Sequence, residues 1–165
     1  MHSPDPNAHP LAAPTGRVTD FDFLHGNWTV QHRRLRQRWA NSADWDEFAS
    51  TSRCEPRLGG VANIEQIDCP ERGFAGMTVR LFDLATSRWS IYWANSTVGR
   101  LEPPVLGGFT GDVGTFVGPD VDGDAPIDVQ FTWTVIDDAH ARWEQAFTRS
   151  DHGTETNWVM EFTRR

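Results

Sequence analysis

An alternation of large apolar and polar side chains from Ala141 to Arg165 constrains this chain more than any other feature. Trp143, Gln145 and Phe147 alternate with Arg142, Glu144 and Thr148. Beyond Ser150-Asp151-His152-Gly153, Trp158, Met160 and Phe162 alternate with Asn157, Glu161 and Thr163. A period of two marks half-buried β-strands, because successive side chains of a strand point to opposite faces. A four-residue loop over 150–153 makes Arg149 face Thr154, Phe147 face Thr156, Gln145 face Trp158 and Trp143 face Met160. Arg142 then faces Glu161 as a cross-strand ion pair on the polar side. Arg164 has the parity of the apolar face, where a guanidinium needs a partner, and the electron-rich face of an indole supplies one.

The same period recurs upstream. Strands are expected over about 27–38, 47–55, 61–67, 105–110 and 114–118, and over Ile127, Val129, Phe131, Trp133 and Val135. Met77, Val79 and Leu81 alternate with Thr78, Arg80 and Phe82, and Trp89, Ile91 and Trp93 with Ser90, Tyr92 and Ala94. An odd loop centred on Ala85 opposes Val79 to Ile91 and Leu81 to Trp89, so both runs bury one face and Arg80 shares the polar face with Tyr92. Asp120 to Asp124 reads as a turn. Phe21, Phe23 and Leu24 form an apolar cluster before Gly26, suited to a short helical turn or plug. About ten short antiparallel strands with one apolar face predict an all-β, up-and-down barrel, since closure removes exposed edges.

At 165 residues the chain suits a single domain over 20–165, preceded by a flexible tail over 1–19 that carries four prolines. A net charge of −8 argues against nucleic acid and anionic membrane surfaces as partners. All 15 basic residues are arginine, which excludes lysine Schiff-base chemistry and a P-loop lysine. The tail lacks the apolar core of a secretory signal, and no stretch reaches the roughly 18 apolar residues of a membrane helix. A cytoplasmic protein with reduced Cys54 and Cys69 is therefore expected, as a monomer or homodimer.

Gly26-x-Trp28 at the first strand and Arg164 at the end of the last resemble the calycin superfamily of lipocalins and fatty-acid-binding-protein-like barrels. Phe21 to Trp28, Leu81 to Trp93 and Arg142 to Arg164 more closely resemble an uncharacterised bacterial family of small lipocalin-like proteins. The resemblance implies that Arg164 packs across Trp28 and closes one end. The Thr-Asp-Tyr type of motif found in secreted lipocalins is absent. Fatty-acid-binding proteins hold a carboxylate with internal Arg and Tyr residues, whereas the single Tyr92 falls on the polar parity of its strand.

Trp89, Trp93, Phe131, Trp133, Trp143, Gln145, Trp158 and Met160, with Phe147 on the same face, are the expected lining of a cavity for a small apolar or aromatic ligand. The histidines show neither i, i+4 nor His-x-His spacing, so no metal is expected, and no cofactor motif is present. An enzyme on the same scaffold, an isomerase or cyclase, would need the parity reversed so that Arg80, Tyr92, Glu144 and Glu161 gather as a catalytic cluster. A filled barrel acting as a protein-interaction module is the third possibility.

Overall fold

The computed structural model describes residues 13–165. Ten strands follow one another: β1 (Gly26–Leu35), β2 (Trp45–Arg57), β3 (Ala62–Cys69), β4 (Phe74–Asp83), β5 (Arg88–Asn95), β6 (Val105–Thr110), β7 (Val113–Asp122), β8 (Ala125–Asp137), β9 (His140–Arg149) and β10 (Gly153–Arg164). Each pairs antiparallel with its sequence neighbours, and β10 returns to β1, so the sheet is a closed up-and-down barrel. Closure leaves no long unpaired edge. No helix among the described residues is long and apolar enough to cross a membrane.

One end of the barrel is shut by its own chain. The 3-10 turn Asp22–Leu24 forms a plug with Phe21, and Phe21 and Leu24 are fully buried. Phe21 meets Trp89 edge-on at 5.1 Å and Phe109 at 5.3 Å, and tilts against Phe116 at 5.6 Å. The plug is fastened to the seam between β1 and β10. Trp28 pairs with Arg164 in register, and the Arg164 guanidinium lies 4.2 Å from the centre of the Trp28 ring. Arg164 donates to the carbonyls of His25 (2.8 Å), Asp138 (3.1 Å) and Phe23, while Trp28 Nε1 donates to the Leu24 carbonyl at 2.8 Å. These bonds satisfy the plug carbonyls of Phe23, Leu24 and His25, and one carbonyl of the β8–β9 turn.

Of the expected tail, residues 1–12 lie outside the described residues, while 13–19 are bonded to the barrel. Gly16 N–H donates to the Ser87 carbonyl, Trp89 Nε1 to the Arg17 carbonyl and Arg88 Nε to the Ala13 carbonyl. Gly16 and Gly108 touch backbone to backbone: a Cβ on Gly108 would sit 2.5 Å from Gly16 Cα, so only glycine fits.

Three expected registers are corrected. The β4–β5 loop holds four residues, because Asp83 pairs with Arg88 and its carboxylate accepts the Ala85 and Thr86 N–H groups. The even loop sets Phe82 opposite Trp89 and Arg80 opposite Ile91, so Gly76, Thr78, Arg80 and Phe82 face inward. Met77 and Leu81 are exposed instead. The last hairpin turns over three residues, with Arg149 facing Gly153 and Phe147 facing Glu155; an irregularity at Asn157 then restores the pairs Gln145–Trp158 and Trp143–Met160. Strand β7 runs through Asp120 to Asp122, leaving Gly123 and Asp124 as the turn. In addition, β1 stops at Leu35, three residues short of its expected end.

Arg164→Ala removes three hydrogen bonds from a charged donor and the stack on Trp28. It should lower unfolding stability by roughly 2–4 kcal/mol whether or not a small molecule is present, measured by urea titration.

Candidate functional site

The interior divides into a tightly filled lower part and an open upper part. Between them lies an inner cavity of about 40 Å³, lined by Glu65, Ile67, Thr78, Arg80, Ile91, Trp93, Phe131, Trp133, Trp143, Gln145, Trp158, Met160 and Phe162. At a share of about 30 Å³ per liquid water, it holds little more than solvent. Above it a vestibule of about 340 Å³ opens at the mouth, bounded by Arg38, Asn95, Glu102, Pro103, Asp120 and Asp122 at the rim and Val129 and Phe147 on the wall. Ile91, Trp93, Phe131, Gln145 and Trp158 line both spaces and form the partition between them.

The vestibule exists because the sheet is thinnest there. Strands β5 and β6 pair through only three residues, Trp89 to Ile91, after which the chain crosses the mouth through Pro103 and Pro104, which have no N–H to donate. Trp93 is held by a space left for it: a Cβ on Gly76 would lie 1.9 Å from the Trp93 ring. The rim is latched by the β1–β2 loop. Arg38 forms a fork with Asp122 (2.5 and 2.9 Å), Trp39 Nε1 donates to Asp122 at 2.8 Å, and Trp39 N–H donates to Glu155 at 3.0 Å. Arg38 also lies over the Phe147 ring at 5.6 Å.

Of the residues expected to line a cavity, Trp133, Trp143 and Met160 line the inner cavity, and Trp93, Phe131, Gln145 and Trp158 line both spaces. Trp89 lines neither; it is packed between Phe21 and Phe82 at the closed end. Gln145 Nε2 donates to Asn157 Oδ1 at 2.8 Å, so this amide is bonded to a neighbour on β10. Trp28 and Arg164 sit at the closed end as described.

The proposed catalytic cluster does not assemble. Arg80 is inside and Tyr92 pairs with Val79 on the outer face. Glu144 and Glu161 are also outside, each in an ion pair with Arg142, at 3.1 and 3.3 Å. Arg80 is 2% exposed and instead meets Glu65, which is 4% exposed. Arg80 Nη2 donates to Glu65 Oε1 at 2.6 Å and Nη1 to Asn63 Oδ1 at 2.9 Å, while Ser52 Oγ donates to Glu65 Oε2 at 2.5 Å. The guanidinium also lies over the Phe21 ring at 4.9 Å, which ties the ion pair to the plug. Both thiols are free and buried, and burial pushes Cys54 up to about 12 and Cys69 up to about 11, so neither is a ready nucleophile.

His32, which carries no recognised motif, holds the partition. Trp158 Nε1 donates to His32 Nδ1 at 3.0 Å, and His32 Nε2 is 2.6 Å from Ser50 Oγ. An indole only donates, so Nδ1 is the acceptor and the ring proton sits on Nε2, shared with Ser50. The imidazole stacks on Phe48 at 4.4 Å. Burial, aided by the Arg34 charge, lowers its pKa from 6.5 to about 4. The sequence reading did not single it out; its parity with Trp28 and Val30 is the signal that marks it as inward. Among the described residues, no group of three or more His, Cys, Asp or Glu side chains could hold a metal ion.

No protein-family model and no curated protein matches the chain. Among solved structures, a redesigned beta barrel is similar over 93% of this chain and 99% of its own, at 12% identity and a TM-score of 0.39.

Two outcomes test this site. Arg80→Met leaves the Glu65 carboxylate buried without its cation and should cost about 3–5 kcal/mol. The double variant with Glu65→Met should recover much of that loss, as measured by chemical denaturation. As pH falls below 6.5, the unfolded chain protonates His32 before the folded one does. Stability should therefore be full above pH 6.5 and fall by about 3 kcal/mol toward pH 4, and His32→Gln should flatten that window in pH-dependent urea melts.

Proposed function

We propose that this is a calycin-like barrel that binds a small, flat, mainly apolar molecule in the vestibule, with its filled lower half serving as scaffold. The observation that carries this reading is the shared partition: an aromatic floor of Trp93, Phe131 and Trp158, with Phe147 beside it, under a space of about 340 Å³. That volume lies at the lower end of small-molecule sites, which are apolar with a few polar anchors. Gln145, Asn95 and Glu102 are such anchors here. Binding is favoured over isomerase or cyclase chemistry because the carboxylate lining the inner cavity, Glu65, has both oxygens engaged, by Arg80 and Ser52. It is a poor general base in that state.

Titration with N-phenyl-1-naphthylamine, a neutral fluorescent aromatic amine, tests the reading. Saturable binding of one probe per barrel is expected. Trp93→Ala should weaken it by about tenfold or more, the loss of one large aromatic contact. No saturable signal, or an affinity unchanged by Trp93→Ala, would overturn the vestibule as the site.

A further inference from the structure

Asp120 is the odd member of the carboxylates on the inner side of the strands. Asp46 is held by the Arg72 fork at 2.5 and 2.8 Å, Glu65 by Arg80 at 2.6 Å and Asp122 by the Arg38 fork, while Glu155 accepts the Trp39 N–H. Asp120 faces inward as well: it pairs in register with the buried Ile127, and its neighbours Pro119 and Val121 are exposed on the outer face. Its carboxylate accepts the adjacent Val121 N–H at 2.8 Å, and among the described residues it meets no cation and no donor from another strand.

The position relates Asp120 to the vestibule. Asp120 borders that space, and its partner Ile127 is followed on the same face of β8 by Val129 and Phe131, which line it. On the segment that crosses the mouth, Glu102 is set against Trp93: its N–H donates to the Trp93 carbonyl at 2.7 Å, and Pro103 and Pro104 stiffen the chain beyond it. Glu102 also has no ion pair among the described residues. The charged groups lining the vestibule are therefore Glu102, Asp120, Asp122 and one cation, Arg38, whose fork is already closed on Asp122. Two half-buried carboxylates stand at the rim of an aromatic-floored space without a counter-ion.

This combination of groups selects for a cation. The faces of aromatic rings such as Trp93, Phe131 and Trp158 carry negative charge and attract an ammonium, most strongly where water is displaced. A carboxylate beside them adds a charge-assisted hydrogen bond, and a ligand that covers it lowers the dielectric between the two charges. An anion would be repelled by Glu102 and Asp120, and a neutral ligand would cut a carboxylate off from water without replacing its hydrogen bonds. We propose that Asp120 is the counter-ion for a ligand ammonium, and that the vestibule takes an aromatic alkylamine in its protonated form. The flat body lies on the aromatic floor, the nitrogen meets Asp120, and Glu102 adds a second attraction. This rests on the vestibule reading above and adds the chemical class of its ligand.

The test uses three naphthalenes that differ at one substituent, each displacing N-phenyl-1-naphthylamine: 1-naphthylmethylamine, an ammonium at neutral pH; 1-naphthalenemethanol, its neutral counterpart; and 1-naphthoate, an anion. The ammonium should bind about tenfold or more tightly than the alcohol, as a charge-assisted contact requires, and the naphthoate should be the weakest of the three. Raising sodium chloride should erode the ammonium's advantage without affecting the alcohol. Asp120→Asn, which keeps the shape and an acceptor for the Val121 N–H, should abolish the advantage and leave alcohol affinity within about twofold. Asp112→Asn, an equal change of charge in the exposed β6–β7 turn at the closed end, should leave all three affinities unchanged. Binding of the neutral probe and the alcohol with no advantage for the ammonium, or with the naphthoate preferred, would overturn the ammonium site alone. An advantage that survives Asp120→Asn, or an equal loss of ammonium and alcohol in that variant, would overturn Asp120 as the counter-ion. Failure of the neutral probe to bind would sink the vestibule reading and this proposal with it.

Discussion

The junction between β1 and β10 is what the rest of the molecule depends on. A ten-strand meander closes only if its first and last strands pair, and here the pairing is reinforced by Arg164 lying flat on Trp28. The same guanidinium collects carbonyls from His25, Phe23 and Asp138, so one side chain joins the seam, the plug and the β8–β9 turn. A buried or half-buried backbone carbonyl needs a donor, and the plug carbonyls of Phe23, Leu24 and His25 take theirs from the Arg164 and Trp28 side chains. With that end stoppered by Phe21 and Leu24, the rings of Trp89, Phe109 and Phe116 pack solid around it. The vestibule opens at the mouth, where the pairing of β5 with β6 ends.

The interior carries more polarity than an apolar barrel requires. Ser52, Asn63, Glu65 and Arg80 form one connected group from adjacent strands β2, β3 and β4, with Phe21 and Trp133 beneath the guanidinium. Buried ion pairs of this kind seldom add net stability compared with apolar packing, because the cost of desolvating two charges offsets their attraction. They do penalise alternative registers heavily. A shift of β4 by one residue would bury Met77, Val79 and Leu81 but separate Arg80 from Glu65 and leave one charge unpaired indoors. The inward Arg80 is thus a register lock, at the price of apolar side chains exposed on the outside.

Around the mouth, two further arrangements set the shape of the vestibule. His32 accepts the Trp158 indole proton and is kept neutral by its burial, so the partition between inner cavity and vestibule rests on an uncharged imidazole. Arg38 and Trp39 clasp the opposite rim through Asp122 and Glu155. Both tethers are polar contacts made by side chains whose nearest sequence neighbours carry no motif. The shape of the vestibule therefore depends on residues brought in from β1 and its following loop to meet the aromatic wall of β8 to β10.

Period-two alternation made the strands, their approximate limits and the closed barrel legible, since a strand's faces follow directly from its sequence parity. The shared parity of Trp28, Val30, His32 and Arg34 was equally open to reading, as was that of Trp143, Gln145 and Trp158. What alternation cannot give is which face is the inner one when both are plausible, because that depends on loop length and on partners from other strands. In β4, Arg80 looked like an outer residue until Glu65 and Asn63 arrived from β3 to compensate its charge. In the last hairpin, a three-residue turn and an irregularity at Asn157 cancelled one another, so Gln145 met Trp158 despite a different loop. The sequence by itself determined the strands, the barrel and the aromatic character of the interior, all of which follow from local pattern. Only the tertiary structure decided how much of that interior is filled, which charges are satisfied and where a space remains, because these are fixed by packing between strands far apart in the chain.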